Sequence, residues 1–401
     1  MAIVSGLKLK SVFKISRYTI LEAIKLPFIL AGTVVQYYTW GTRYQRNREI
    51  SESLWKTLVV TAMTNLSKYI DIDIAEVINK PLPELMRKFE RNPMVQPLEH
   101  YSEQYTEHSY WLVRNDSKTR EKEDVLIYIH GGGYMVSILD LQFTGILAFY
   151  YAIAAEKRSK LSILIVDYSL TTEDQRFPTQ IQECMEAYKK LADDGYKKIH
   201  VIGDSAGGNM LLAISRFTAY PKEAEIHFLQ FAESGFDFNF GRLPQPASLI
   251  LISPWTDPLT KVNHNKYGFF HGDFVSHYQT TGLNYVRGLN AKELGRWVSF
   301  NEGSYEEMWS KVQALNGQKE SLVIWGELEN SRESIEKWID VVKQGPNRLA
   351  CFMEEAGLHV ALFYVESIDY ESNKGAKKAL NGEFDNKYAM KCAADFLCRQ
   401  L

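Results

Sequence analysis

From residue 105 onward the chain repeats one pattern: a short apolar run, then a segment long enough for a helix. The runs are "VLIYI" (125–129), "LSILIVDY" (161–168), "IHVIG" (199–203), "SLILIS" (248–253), "SLVIWG" (321–326) and "LACFM" (349–353), preceded by the alternating "EHSYWLVRN" (107–115). Each has the length of a strand, and continuous apolar runs suit strands covered on both faces. Most are separated by segments such as "PTQIQECMEAYKKLADDG" and "SRESIEKWIDVVKQG", which have helix length and helical spacing of apolar residues. Alternation of this kind predicts the α/β class: a parallel sheet with helices on both faces.

Two stretches break the rhythm. Residues 217–247, rich in Phe, and residues 255–320 separate consecutive strands by far more than a crossover needs. Insertions of that size in a compact domain are usually lids, binding walls or disordered loops. Upstream, "SLWKTLVVTAMTNLSKYI" and "PLPELMRKF" read as helices. Residues 26–42, "LPFILAGTVVQYYTWGT", carry no charge; Lys8, Lys10, Lys14, Arg17 and Lys25 flank them on one side, Arg43, Arg46 and Arg48 on the other. About seventeen residues is the lower limit for a spanning helix, and Glu22 and Lys25 block extension backwards. Tyr37, Tyr38 and Trp40 end the segment as interfacial aromatics would. Residues 1–50 are therefore expected to associate with a membrane, the alternative being a helix packed on the protein's own surface.

A formal net charge of −3 gives no basic excess for binding nucleic acid. Cys184, Cys351, Cys392 and Cys398 show neither metal-type spacing nor a disulfide framework. No G-x-x-x-x-G-K-[ST] loop, H-E-x-x-H helix or G-x-G-x-x-G helix start occurs, so neither cofactor nor metal is expected.

The chemistry is concentrated in four places. Gly203-Asp204-Ser205-Ala206-Gly207 fits G-x-S-x-G, a sharp strand-to-helix turn that exposes a nucleophilic serine, and it lies between a strand and a helix as that motif requires. His130-Gly131-Gly132-Gly133 ends the strand "VLIYI". Three consecutive glycines allow close backbone approach, so the N–H groups of Gly131, Gly132 and Gly133, with that of Ala206, would form an oxyanion hole. A serine hydroxyl needs a base oriented by a carboxylate, in the chain order Ser, acid, His. His359 is the one histidine after "SLVIWG". For the acid, "GELENSRE" offers Glu327, Glu329 and Glu333. Glu329, three residues past the strand, is favoured, while Glu333 suits the first turn of the next helix.

These residues resemble the hormone-sensitive-lipase branch of the α/β-hydrolases. The resemblance is carried by "HGGGY" (130–134), "VDYSL…RFPTQ" (166–180), "GDSAGGN" (203–209), "LPQPASLILISPWTD" (243–257), "GELENSRE" (326–333) and "GLH" (357–359). Within that branch the chain is most similar to the fungal steryl acetyl hydrolases, membrane-anchored deacetylases of sterol esters, with arylacetamide deacetylases further off. The resemblance implies an α/β-hydrolase domain over 51–401 with an eight-stranded, mostly parallel sheet. It also implies a helical cap from about 51–100 and 255–320. Carried over, Ser205 is the nucleophile, His359 the base, and His130 holds the glycine loop without taking direct part. The expected substrate is a hydrophobic ester such as a sterol acetate, and the expected setting a membrane, that of the endoplasmic reticulum. An acyltransferase or a broad xenobiotic esterase would use the same site, and a ligand receptor could use the same fold without chemistry. The sequence departs from the family at Glu329-Asn330-Ser331-Arg332-Glu333, where many members have D-P-L-R-D, and in the longer Phe-rich insertion at 217–240.

Overall fold

The computed structural model describes residues 17–67, 70–115, 124–259, 273 and 278–401. Lys8, Lys10 and Lys14 of the expected basic flank, and most of 260–277 in the expected cap, lie outside the described residues. Among the described residues, eight strands form one sheet: β1 (Gln104–Thr106), β2 (Ser109–Val113), β3 (Asp124–Ile129), β4 (Leu161–Val166), β5 (Lys198–Asp204), β6 (Ser248–Ile252), β7 (Ser321–Gly326) and β8 (Leu349–Glu354). Their order is β1-β2-β4-β3-β5-β6-β7-β8. β2 is antiparallel to both neighbours and the remaining pairs are parallel. The six apolar runs and the alternating segment before them all form strands. β1, three residues long, carries too short a pattern to show in the sequence.

Period-two alternation divides the strand side chains between two cores. Val125, Ile127 and Ile129 of β3 join the core that holds Ile181, Leu211 and Trp338, from helices Thr179–Asp193, Ala206–Ala219 and Arg332–Val342. Leu126 and Tyr128 join the opposite core, with Phe143, Leu147 and Phe396 from helices Asp140–Ala152 and Tyr388–Gln400. From β3 the chain crosses to β4 on one side and returns to β5 on the other. Such a reversal of strand order opens a crevice at the carboxyl ends of the strands. The register pairs Ile129 with Gly203, Asp204 with Ile252 and Gly326 with Glu354, so these loops leave one edge of the sheet.

Helices from both expected regions cover that edge. Ala75 of helix Ile72–Ile78 packs on Met135 and Val136, just past the glycine loop. Tyr285 of helix Tyr278–Tyr285 stacks on Tyr134 with ring centres 3.8 Å apart. The Phe-rich insertion folds inward, as helix Pro221–Phe228 and a 3₁₀ turn Leu229–Ser234. Phe217, Phe228 and Phe238 pack on one another and on Trp297, so its rings are core. Helix Arg17–Tyr38 lies along helix Leu54–Ser67. Among the described residues, no helix is long and apolar enough to cross a membrane.

Candidate active site

Ser205 occupies the corner between β5 and helix Ala206–Ala219 with φ +50° and ψ −115°, a conformation an L-residue avoids at a cost of about 1–3 kcal/mol. Neighbouring strands hold it there. Its N–H donates to the Ile252 carbonyl at 3.0 Å, and its own carbonyl accepts the Trp255 N–H at 2.9 Å. Gly207 permits the turn, because a Cβ at that position would lie 1.9 Å from the carbonyl oxygen of Ile129. Only glycine lets the helix start so close to the end of β3.

Three side chains from three strand ends meet here. His359 Nε2 lies 3.0 Å from Ser205 Oγ, and His359 Nδ1 lies 2.8 Å from Glu329 Oε2. The other carboxylate oxygen of Glu329 accepts the N–H of Gly326 at 3.2 Å, which fixes its rotamer. All three residues are buried. Burial pushes the Glu329 carboxyl up to about 8, against hydrogen bonds from Ser253 and the Gly326 N–H, and it lowers the His359 imidazole.

The two other candidate acids lie elsewhere. Glu327 accepts two hydrogen bonds from the Arg46 guanidinium and one from the Ala356 N–H. Those contacts hold its carboxyl below the usual range and tie the N-terminal segment to the loop that bears His359. Glu333 is exposed on the first turn of helix Arg332–Val342, where a carboxylate suits the helix dipole.

The glycine loop is held from behind. His130 is fully buried, stacks on Tyr168 with ring centres 4.5 Å apart, and places Nδ1 2.6 Å from the Gly131 carbonyl. Burial lowers its imidazole to about 4, so it is neutral in the physiological range. The carboxylate of Asp204 accepts from Tyr128 at 2.8 Å and from Gln142 at 3.0 Å. Among the described residues, the N–H groups of Gly132 and Gly133 donate to no backbone carbonyl. Tyr134 donates to Asn209 Oδ1 at 2.7 Å, and Asn209 Nδ2 donates to the carbonyls of Trp255 and Val298. The "HGGGY", "GDSAGGN" and "SPWTD" segments are thus joined through one amide side chain.

Two contributors carried no readable signal. Ser253, at φ +44°, accepts the Val360 N–H at 2.9 Å, and buried Asp273 accepts the N–H groups of Asn330 and His359. Ser253 follows directly from β6, but nothing in its neighbours marks the inverted turn. Asp273 lies within a long insertion without periodicity.

A sheet of this order, with hydroxyl, imidazole and carboxylate linked at its carboxyl edge, places the chain among the α/β-hydrolases that cleave carboxylic esters. The chain belongs to the steryl acetyl hydrolase family, whose family model matches residues 18–381. A Schizosaccharomyces pombe protein with a provisional steryl acetyl hydrolase name is 28% identical over 370 residues, covering 88% of this chain and 91% of that one. Rabbit (Oryctolagus cuniculus) arylacetamide deacetylase is 24% identical over 205 residues, 47% of this chain and 48% of that one. Among solved structures, a hormone-sensitive lipase from a metagenome library shares the fold at TM-score 0.55 and 17% identity, covering 86% of this chain and 97% of its own.

Proposed function

We propose that the protein hydrolyses esters joining a short acyl group to a bulky apolar alcohol, a sterol acetate being the favoured substrate. The observation that carries this reading is the unbroken hydrogen-bonded series from Ser205 Oγ through His359 to Glu329, starting on a strained turn beside the glycine loop. Ser205 Oγ attacks the acyl carbonyl while His359 Nε2 accepts its proton. The resulting imidazolium donates from Nδ1 to Glu329, a charge-assisted bond inside a buried site. The N–H groups of Gly132, Gly133 and Ala206 bind the oxygen as it becomes negative, each worth roughly 10²–10³ in rate. His359 then delivers the proton to the departing alcohol, and water repeats the sequence on the acyl-enzyme.

The short acyl group and sterol alcohol are supported by the family and by the names its members carry. The test compares acetate and palmitate esters of one chromogenic alcohol, followed by a sterol acetate. The expected result is faster turnover of acetate and release of free sterol. Preference for palmitate, or no turnover of either ester by folded protein, overturns the reading.

We further propose that helix Arg17–Tyr38 lies on a membrane surface, with the endoplasmic reticulum as its setting. Ile20, Ile24, Phe28, Val35 and Tyr38 are spaced so that they fall on one exposed stripe, and Trp40 is exposed just beyond it. The full chain is expected to float with phosphatidylcholine–phosphatidylserine vesicles, and the triple variant Ile24→Ser, Phe28→Ser, Val35→Ser to remain with the soluble fraction. Equal flotation of the two, or none by the wild type, contradicts this.

A further inference from the structure

The loops after β7 and β8 present Glu329 and His359, yet neither loop is held in place by its own backbone alone. Ala356 and Val360, on either side of His359, have φ +52° and +54°. Positive φ is costly for alanine and more so for a β-branched residue, so the loop keeps this shape only where outside contacts impose it. Ser253 Oγ takes the Val360 N–H. The N–H of His359 itself is taken at 2.9 Å by Oδ1 of Asp273, whose Oδ2 accepts the N–H of Asn330 at 2.8 Å. Asp273 belongs to neither loop. It comes from the long segment between β6 and β7, and its side chain is buried.

We propose that Asp273 is a positioning residue for ester hydrolysis, its two carboxylate oxygens fastening the base-bearing and acid-bearing loops to one another. The inference rests on the hydrolase reading given above. One carboxylate spans the residue after the acid and the base itself, so the separation of Glu329 and His359 is set through Asp273 as well as by their own contact. Its charge has a second consequence. Among the described residues, His359 is faced by Glu329 after β7, Asp204 at the end of β5, Asp273 and the Ser205 hydroxyl. Asp273 in turn faces Glu329, His359 and, from the N-terminal segment, the Tyr44 phenol. Three carboxylates thus surround the one side chain that becomes a cation during reaction, where a buried charge is worth more than in water.

The sign follows. The serine is activated only while His359 is neutral, so reactivity falls as pH drops through the histidine's titration. Burial puts that titration below the ordinary imidazole value, and the charges of Asp273 and Asp204 partly restore it. Burial raises the Asp273 carboxyl to about 6, so its charge acts on the neutral side of that value, and removing it there moves the acid limb to lower pH. Removing its two contacts also loosens the geometry and lowers the plateau rate, since misplacement by about 1 Å costs about 10²-fold.

The experiment measures the second-order rate of Ser205 labelling by a fluorophosphonate across pH, for full-length wild type, Ser205→Ala, Asp273→Asn and Asp273→Glu, with circular dichroism reporting the fold. The expected result for Asp273→Asn is a plateau rate lower by roughly 10- to 100-fold, with the acid limb displaced to lower pH. Asp273→Glu, which keeps the charge but moves it, lowers the plateau with its limb near that of wild type. If Asp273→Asn does not fold, a slowed Asp273→Glu supports the proposal and a wild-type rate overturns it. A loss of labelled fraction with rate and limb unchanged overturns it too, since Asp273 would then act on folding alone. Wild-type protein that takes no label, or labels equally as Ser205→Ala, overturns the hydrolase reading and this inference with it. A labelled wild type matched by both Asp273 variants overturns the inference alone.

Discussion

Ser205→Ala will fold as the wild type does and will hydrolyse a short-chain ester about 10⁶-fold more slowly, a loss of the size seen when the nucleophile of such a triad is removed. The substitution deletes one oxygen from a buried corner whose backbone is held by Ile252, Trp255 and Asn209. None of those contacts uses the hydroxyl, and alanine meets the same backbone strain as serine at φ +50°. The glycine loop and its N–H donors are untouched, so the residual rate reports transition-state binding without covalent attack. Steady-state hydrolysis of an aryl acetate, read beside thermal melts of both proteins, checks this. A variant within tenfold of wild type would mean that another group, or water directly, attacks the ester.

Glu329→Gln is expected to cost about 10⁴ in kcat with little change in KM. The carboxylate accepts from His359 Nδ1 and so fixes Nε2 as the atom that receives the serine proton. An amide can present its NH₂ to Nδ1, which stabilises the wrong tautomer and leaves the imidazolium without a negative partner. Stability should not fall in proportion, because the amide removes a buried ionisable group whose carboxyl is raised by desolvation. Glu327→Gln and Glu333→Gln serve as comparisons. Glu327→Gln weakens an ion pair with Arg46, which is well exposed, so the effect on stability is at most about 1 kcal/mol. Both should keep kcat within about threefold of wild type. A large loss of kcat in Glu333→Gln together with a small one in Glu329→Gln would reassign the acid.

The parts of this fold that repeat were legible in the sequence, because burial on both faces of a parallel sheet imposes a pattern that residue types display. β3 to β8 each carry a mostly apolar run, broken by Ser162 in β4 and His200 in β5, while β8 at the sheet edge leaves Phe352 and Met353 exposed. Ser205 and the glycines were legible for a related reason: tight turns and close backbone approach restrict the residue type. His359 followed from chain order and Glu329 from its distance past β7. What escaped notice depends on contacts between segments distant in sequence. The hydrogen bond from Tyr128 to Asp204 requires β5 to lie beside β3, which no local pattern states. Asp273 meets His359 across eighty-six residues, and the segments around it show no period that places a side chain. The Phe-rich insertion was readable as an irregularity, but its inward packing on Trp297 was not, since exposed and buried phenylalanines look alike in a non-periodic stretch.

The most direct test of the account is mass spectrometry of the wild-type enzyme quenched with acid during turnover of an aryl or sterol acetate. The account predicts an added acetyl group on the peptide that contains Ser205, absent from Ser205→Ala and lost on dilution into buffer before quenching. Turnover without that adduct under conditions where deacylation is slow, or an acetyl group carried by another residue, would contradict it.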